Sequence, residues 1–399
     1  MGLSRRLLGF TLLPLISIAT PLLALPIVAR NSSTAEWVGL AVGQALGVTC
    51  AIVVGQGWGL RGPALIASVL HEPDWIETAI VDSFKSRLMA FIVASPVVAA
   101  IAGFLAPAGG SVMATLSALA FSTYGFTLSW VFVGLGDPWG AAKVDHLPKA
   151  VANIVGAVLV WWGMNISCYP IVIGSTMLFA GPVCTYRRVR MAARQGLRAQ
   201  SHARLFKTSW KACATELVSS YGTLGTPLFA SSPSVTAISA SRYVSADRLN
   251  IMGQYAVGAL ANALQRWVVE GDWAVRFRRA LIFHGLLGVV GLLIFIFFAP
   301  LLSALLFTES FAFDALVGAG FGSSILIVSL NTTLRRHLLL PRERDGLAFL
   351  GSLAGAAVGL PLVFLCGQLN SLSGAAFSLA FGQFVTLIIY GAPLVRAGR

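Results

Sequence analysis

A small set of polar and charged residues interrupts stretches of the chain that are otherwise apolar, and their types suit the binding of an anion. Arg30 and Arg242 stand at the ends of apolar stretches, and Gln44 and Gln254 lie inside two others. Arginine binds phosphate through a planar fork of N–H donors, and an amide adds neutral donors and acceptors. We therefore predict a binding cavity with these candidate residues: Arg30, Gln44, Glu216, Tyr221, Arg242, Gln254, Asn262 and Gln265.

The same residues also have a purely structural interpretation, which the sequence leaves open. An arginine at the end of an apolar helix can snorkel to lipid headgroups, and a glutamine can hold two helices together. Glu216 lies one turn into an apolar stretch and is the candidate for a coupling carboxylate if the protein is driven by a cation.

Several kinds of chemistry find little support. Asp137 and Asp145 are eight residues apart, which is a weak signal for glycosyl transfer. No lysine follows a glycine, so the chain has no GxxxxGK[ST] phosphate loop. The five cysteines have no paired spacing, and the histidines have no metal-ligand spacing. We predict no metal and no cofactor, and we leave open whether Na⁺ or H⁺ serves as a coupling ion.

The composition is that of a membrane protein. Of the 399 residues, 57% are hydrophobic and only 11% are charged, and the mean hydropathy is +0.81. A soluble domain carries about 25% charged residues. The net charge of +13 could suggest nucleic acid, but cytoplasmic loops of membrane proteins are also rich in Lys and Arg.

A helix needs about 20 apolar residues to cross the hydrocarbon core. By this length the sequence predicts an all-α polytopic membrane protein with about twelve transmembrane helices in two six-helix lobes. The predicted spans are residues 7–28, 37–54, 88–107, 112–135, 149–164, 168–184, 212–231, 249–267, 280–302, 314–334, 346–366 and 373–395. A segment between the second and third spans, residues 71–87, has one apolar face and is predicted to be an interfacial amphipathic helix.

The charges fix an orientation for these spans. With the N- and C-termini in the cytoplasm, 25 of the 28 basic residues fall on the inner side, and Arg30, Arg242 and Arg248 fall outside. We therefore predict an N-terminal lobe at 1–185, a basic cytoplasmic linker at 186–211 and a C-terminal lobe at 212–399. Membrane lipids are expected partners of this linker, and nucleic acid is not expected.

Two short repeats suggest that the lobes arose by duplication. Residues 20–22 (TPL) recur at 226–228, and residues 43–44 (GQ) recur at 253–254. Proline removes a helical donor, and in lipid the freed carbonyl needs a partner in the protein or in a wet cavity. Pro21, Pro26, Gly225 and Pro227 are therefore predicted to bend the first and seventh spans around a central cavity.

Two turn motifs resemble those of Wzx-type polysaccharide flippases. Residues 129–139 (SWVFVGLGDPW) and 145–149 (DHLPK) are similar to the signature after span four of that family, and residues 57–64 (GWGLRGPA) are similar to its turn after span two. Ala29-Arg30 resembles the arginine at the outer end of span one, and residues 243–248 resemble an element before span eight. Asp137 stands where the family commonly has a basic residue.

The resemblance implies the fold of the multidrug/oligosaccharidyl-lipid/polysaccharide (MOP) superfamily. It implies a transporter, not an enzyme, in a bacterial cytoplasmic membrane, which flips a polyprenyl-pyrophosphate-linked oligosaccharide to the outer leaflet for cell-surface polysaccharide biosynthesis. A polysaccharide polymerase is a possible partner, and Arg61, Asp137 and Asp145 are candidates for a cytoplasmic gate. A cation-coupled multidrug exporter of the same superfamily is the alternative, and a membrane glycosyltransferase or polymerase is a weaker one.

Overall fold

A computed structural model describes residues 20–68, 73–183, 202–269, 272–342 and 344–397, and these residues form helices and no strand. The α-helices are α1 Thr20–Arg30, α2 Thr34–Gly55, α3 Trp58–Ser68, α4 Pro73–Leu105, α5 Ser111–Ser122, α6 Ser129–Leu135, α7 Pro138–Ala141, α8 Leu147–Trp161, α9 Cys168–Leu178, α10 His202–Ser219, α11 Gly225–Ala230, α12 Ala237–Val269, α13 Trp273–Phe297, α14 Ala299–Leu306, α15 Ala315–Thr333, α16 Asp345–Gln368 and α17 Leu372–Ala397.

Short segments of 3₁₀- or π-helix join several of these helices. The 3₁₀-helices are Thr123–Phe126, Tyr221–Leu224, Glu309–Phe311 and Leu340–Arg342, and the π-helices are Ala142–His146, Phe179–Val183 and Leu334–Leu339. Within the described residues, seven helical segments have the length and apolar composition of a membrane span: Thr34–Gly55, Trp75–Leu105, Ser111–Leu135, Trp273–Phe297, Ala315–Arg342, Asp345–Gln368 and Leu372–Leu394. The all-α, multi-pass membrane class is confirmed, and the count of twelve stays a prediction.

The chain divides into two compact units. The first comprises the described parts of Met1–Ser32 and Gly39–Leu217, and the second comprises Ser33–Val38 and the described part of Val218–Arg399. Residues 186–201 of the predicted linker lie outside the described residues, whereas 202–211 are helical and belong to α10. The predicted domain boundaries therefore stay a prediction.

The predicted interfacial helix at 71–87 is wrong in two respects. Its described residues belong to α4, a single helix of 33 residues that continues to Leu105. Its apolar face also packs on protein, because Ala79 and Ile80 are buried in a cluster with Trp58 and Trp130. The helical spacing of the apolar residues indicated which face of the helix is buried. This pattern does not distinguish a face that lies on lipid from one that packs on a neighbouring helix.

A stripe of glycines brings α2 against α5 in the first unit. A Cβ atom on Gly43 would collide with the carbonyl oxygen of Ala114, and one on Gly47 would lie 2.7 Å from the carbonyl oxygen of Ala118. Gly39 meets Gly110 in the same way. Because lipid provides no hydrophobic force between helices, close contact of this kind is what holds spans together.

The second unit uses the same device between α16 and α17. Gly351, Gly355 and Gly359 are four residues apart and form one stripe along α16. A Cβ atom on Gly351 would lie 2.6 Å from the ring of Tyr390, and one on Gly355 would lie 2.6 Å from the carbonyl oxygen of Gly382. The stripe therefore sets how closely these two helices approach.

We expect Gly43→Ala to lower the thermal stability of the detergent-solubilised protein, because the added methyl group cannot fit against Ala114 and overpacking costs about 1–3 kcal/mol. Gly285→Ala is the matched control, since nothing lies within 4 Å of a Cβ there. The control should leave the melting temperature unchanged or raise it slightly, because alanine is the better helix former. Equal melting temperatures for both variants would contradict the packing account.

Candidate functional site

The second unit contains a polar cavity of about 220 Å³. It lies among the end of α10, the 3₁₀ turn that follows, α12, α15, α16 and α17. Its wall combines hydroxyl, amide, phenol and guanidinium groups with a few apolar side chains. The lining residues are Ser219, Ser220, Tyr221, Gly222, Thr223, Asn250, Gln254, Ser324, Val328, Asn331, Thr332, Arg335, Ser352, Leu379, Gln383, Thr386 and Tyr390.

An interruption of the seventh predicted span forms one wall of the cavity. Helix α10 ends at Ser219, a 3₁₀ turn follows over Tyr221–Leu224, and α11 begins at Gly225. Within the turn, the Thr223 N–H donates to the Ser220 carbonyl at 2.9 Å, and its hydroxyl donates to the same oxygen at 2.8 Å. The turn therefore satisfies part of its own backbone and presents residues 219–223 to the cavity.

Pro227 lies in the first turn of α11, where a helix tolerates proline. The neighbouring Thr226 donates its hydroxyl proton to Asp247 of α12 at 2.7 Å, which ties α11 to α12. Gly225 is closely packed, since a Cβ there would lie 2.9 Å from Leu379 and 3.1 Å from the Tyr243 hydroxyl. The helix is interrupted just before Gly225, and the bending of the seventh span at Gly225 and Pro227 stays a prediction.

Two hydrogen-bond networks hold the polar side chains of the wall. The Asn331 Nδ2 group donates to the carbonyl oxygen of Gln383 at 2.9 Å and to its Oε1 atom at 3.1 Å. On the other side, the Ser352 hydroxyl lies 3.1 Å from that of Ser219 and 2.6 Å from that of Tyr390. These bonds link α10, α15, α16 and α17, so the wall is held in a fixed arrangement.

The charge of the cavity comes from Arg335. This arginine lies in the π-helix Leu334–Leu339 that continues α15, and it is the one charged residue among the described residues that line the cavity. The described residues of the wall include no carboxylate that could neutralise it. Because charges interact far more strongly away from bulk water, an uncompensated guanidinium gives the cavity an attraction for anions.

The structure brings together two of the predicted site residues, Tyr221 and Gln254, which both line the cavity. Tyr221 is buried, and its ring lies over the glycine stripe of α16, next to Gly355 and Gly359. An arginine and several amide groups do line one cavity, but the arginine is Arg335 and not the predicted Arg30 or Arg242.

The remaining candidates lie elsewhere, and their roles stay predictions. Arg30 is exposed at the end of α1, Gln44 is half-buried in α2, and Glu216 is half-buried near the end of α10. Arg242 is exposed on α12, where its Nε atom donates to the carbonyl of Ser310 at 3.3 Å. Pro21 and Pro26 lie half-buried in α1. The side chains of Arg61, Asn262 and Gln265 lie outside what the structure describes.

The two turn motifs of the first unit pack against each other. The rings of Trp58 and Trp130 are 4.8 Å apart, and a Cβ on Gly62 would collide with the Trp130 ring. A Cβ on Gly134 would lie 2.8 Å from the carbonyl oxygen of Pro63. Gly62 and Gly134 are thus explained by the close approach of α3 and α6.

Asp137 and Asp145 serve the turns that follow α6. Asp137 caps α7 by accepting a hydrogen bond from the Trp139 N–H at 3.1 Å. Asp145 is buried and lies 2.7 Å from the Lys149 ammonium group, which in turn lies 4.5 Å from the centre of the Tyr124 ring. Burial alone would raise the pKa of Asp145, but the positive charge and hydrogen bond of Lys149 hold it below its ordinary value.

Comparison with solved structures reveals the fold. The lipid II flippase MurJ in an inward closed conformation matches with a TM-score of 0.69 and 13% identity, over 97% of this chain and 87% of that chain. An inward-facing multidrug resistance MATE family transporter of the MOP superfamily matches with a TM-score of 0.67 and 12% identity, over 96% and 98% of the two chains. The chain therefore has the fold of MOP superfamily transporters.

A MOP superfamily transporter from Pyrococcus furiosus, described as having a binding pocket of reverse polarity, also matches, with a TM-score of 0.53 and 10% identity over 98% of this chain and 95% of that chain. No protein-family model and no curated protein matches the sequence.

We expect Asp145→Asn to lower the free energy of unfolding by about 1–3 kcal/mol, because it leaves Lys149 without its buried partner. Since the pKa of Asp145 is lower in the folded protein than its ordinary 3.8, its contribution is present above that pH and is lost as the pH falls through the folded value. Melting temperatures of the wild type and the variant should thus converge in acid. A difference that stays constant down to the lowest pH would contradict the ion pair.

The charge of the cavity gives a second prediction. Inorganic pyrophosphate should raise the melting temperature of the purified protein, since a ligand at 100 times its dissociation constant stabilises by about 2.7 kcal/mol. Arg335→Gln should abolish the shift, whereas Arg278→Gln, at an exposed arginine of α13, should preserve it. An unchanged shift in Arg335→Gln would place the anion elsewhere.

Proposed function

We propose that this protein is a transporter of the Wzx type, which flips a polyprenyl-pyrophosphate-linked oligosaccharide from the cytoplasmic to the outer leaflet of a bacterial cytoplasmic membrane by alternating access. The observation that carries the proposal is the cavity of the second unit, where Arg335 is the charged lining residue among those described and no carboxylate accompanies it. The pyrophosphate of such a substrate is negatively charged, and it cannot cross about 30 Å of hydrocarbon unaided.

The chemistry of the wall matches both parts of the polar headgroup. A guanidinium binds phosphate oxygens through charge-assisted hydrogen bonds. Hydroxyl and amide groups such as those of Ser219, Gln254 and Gln383 pair with sugar hydroxyls, which need both donors and acceptors. The polyprenyl chain needs no polar site, because it can stay in the bilayer throughout.

The sequence motifs and the fold support the same proposal from another direction. The turns at 57–64 and 129–149 resemble those of Wzx-type flippases, and they pack together in the first unit. MurJ, one of the structures with this fold, is named as a lipid II flippase. In this proposal the protein works in cell-surface polysaccharide biosynthesis, with membrane lipids around it and a polymerase as a possible partner.

A second candidate, a cation-coupled multidrug exporter, is favoured by the MATE transporters among the structures with this fold. Binding a cationic drug calls for a carboxylate in the binding cavity. Glu216, which is half-buried at the end of α10, is the residue that would serve, but it does not line the cavity around Arg335.

The test reconstitutes the protein into liposomes that contain a fluorescent polyprenyl-pyrophosphate-linked sugar on one leaflet. The wild type and Arg278→Gln should move the lipid to the other leaflet, and Arg335→Gln should slow this movement by about tenfold or more, as expected for loss of one hydrogen bond to a charged group. Equal rates for the two variants, or no movement by the wild type, would overturn the proposal. Export of cationic dyes that is lost in Glu216→Gln would instead support the exporter.

A further inference from the structure

Four buried polar atoms in the wall of the cavity have no hydrogen-bond partner in the part of the chain that the structure describes. They are the Oδ1 atoms of Asn250 and Asn331, the Nε atom of Arg335 and the Tyr221 hydroxyl oxygen, which can either donate or accept. Both asparagines are almost fully buried, with 3% and 5% of their surface exposed. Buried polar groups are rarely left unpaired in native proteins, and those that are call for a specific explanation.

The orientation of the Asn331 amide follows from its partners. Its other atom, Nδ2, lies 2.9 Å from the carbonyl oxygen of Gln383. A backbone carbonyl only accepts hydrogen bonds, so the atom that faces it must be the donor nitrogen. The unpaired atom of Asn331 is therefore an oxygen, and it requires a hydrogen-bond donor.

Asn250 is oriented in the same way by a different neighbour. Its side chain forms a hydrogen bond to the carboxylate of Asp247, and that carboxylate also accepts the Thr226 hydroxyl at 2.7 Å. The hydrogen bond of Asn250 stabilises the charged form of this carboxylate, which is what a donated N–H group does. The Asn250 nitrogen is thus directed to Asp247, and its oxygen is the second acceptor that requires a donor.

The unpaired groups of the cavity therefore require two kinds of partner, hydrogen-bond acceptors and hydrogen-bond donors. The Arg335 Nε–H group requires an acceptor, preferably a negative one, and the two asparagine oxygens require donors. A fully ionised phosphate offers only acceptors, and a neutral sugar offers no charge. A sugar joined to a phosphate offers both in one small group.

We propose that the cavity binds a glycosyl phosphate, with the phosphate at Arg335 and hydroxyl groups of the adjoining sugar at Asn331 and Asn250. The size of the cavity agrees, because about 220 Å³ is below the roughly 300 Å³ at which pockets for drug-sized ligands begin. It holds one sugar and its phosphate, not a whole oligosaccharide. This inference rests on the proposed function and narrows it to the junction between sugar and phosphate.

The test measures the binding of three probes to the purified full-length protein by calorimetry: inorganic phosphate, glucose and glucose 1-phosphate. The wild type should bind glucose 1-phosphate about tenfold more tightly than phosphate, and glucose alone should bind most weakly. Asn331→Leu should remove this tenfold preference and leave the affinity for phosphate unchanged. Arg335→Gln should weaken phosphate and glucose 1-phosphate together.

Two further variants make the result independent of folding. Asn250→Ala should remove the preference as Asn331→Leu does, and it serves if the latter does not fold. Asn165→Ala is the matched control, because Asn165 is exposed and lies in the other unit, and it should behave as the wild type. Asparagine variants that weaken both phosphate ligands by the same factor would overturn the inference, since the amides would then be structural only.

Failure of this inference differs from failure of the proposed function. If phosphate binding and lipid movement both depend on Arg335 but glucose 1-phosphate has no advantage over phosphate, the glycosyl phosphate site is wrong and the flippase stands. If neither phosphate nor glucose 1-phosphate binding changes in Arg335→Gln, the anion site is wrong and the proposed function falls with it.

Discussion

The interruption of the helix between Ser219 and Gly225 is the feature on which the polar cavity depends. A regular helix satisfies its own backbone and can face lipid, whereas an interrupted one must meet polar partners or water. Here the interruption presents residues 219–223 to the cavity, and Asn331, Gln383 and Ser352 complete the polar wall. The same constraint explains why the segment faces the polar side chains of α15 to α17 across the cavity.

Close helix contacts make this arrangement possible. In the second unit, the stripe of Gly351, Gly355 and Gly359 admits Tyr221 on one side and α17 on the other, so the phenol reaches the cavity without forcing the helices apart. In the first unit, the stripe of Gly39, Gly43 and Gly47 lets α2 approach α5 closely. In both units small residues replace the hydrophobic driving force that the bilayer does not supply.

Much of the fold could be predicted from the sequence, because apolar length and basic charge are set by the bilayer itself. The composition of the seventh span, with Gly225 and Pro227, predicted a bend there, and the structure has a 3₁₀ turn just before Gly225. The apolar face of α4 was correctly predicted, but the element that packs on it was not. Trp58 and Trp130, which pack there, lie at distant positions in the chain. Periodicity within one helix contains no information about which element packs on it.

The site was only partly predictable, and Arg335 shows why. It stands among basic residues at the end of a predicted span, where the rule that positive charges gather on the inner side already accounts for an arginine. Only the fold shows that it lines one cavity with Asn331, Gln383 and Tyr390, and that the described part of this wall contains no carboxylate. Asn331 and Gln383 could not be predicted as site residues either, since single amides in apolar helices also commonly form interhelical hydrogen bonds.

The proposed function depends on the binding of the phosphate of a lipid-linked sugar to Arg335 in the second unit. A crystal or cryo-electron microscopy structure of the protein with a polyprenyl-pyrophosphate-linked monosaccharide would locate that phosphate. We expect density for a phosphate within hydrogen-bond distance of the Arg335 guanidinium, with a sugar hydroxyl on Asn331. Density for the pyrophosphate at another site, with Arg335 making no contact to it, would show that Arg335 is not the phosphate site.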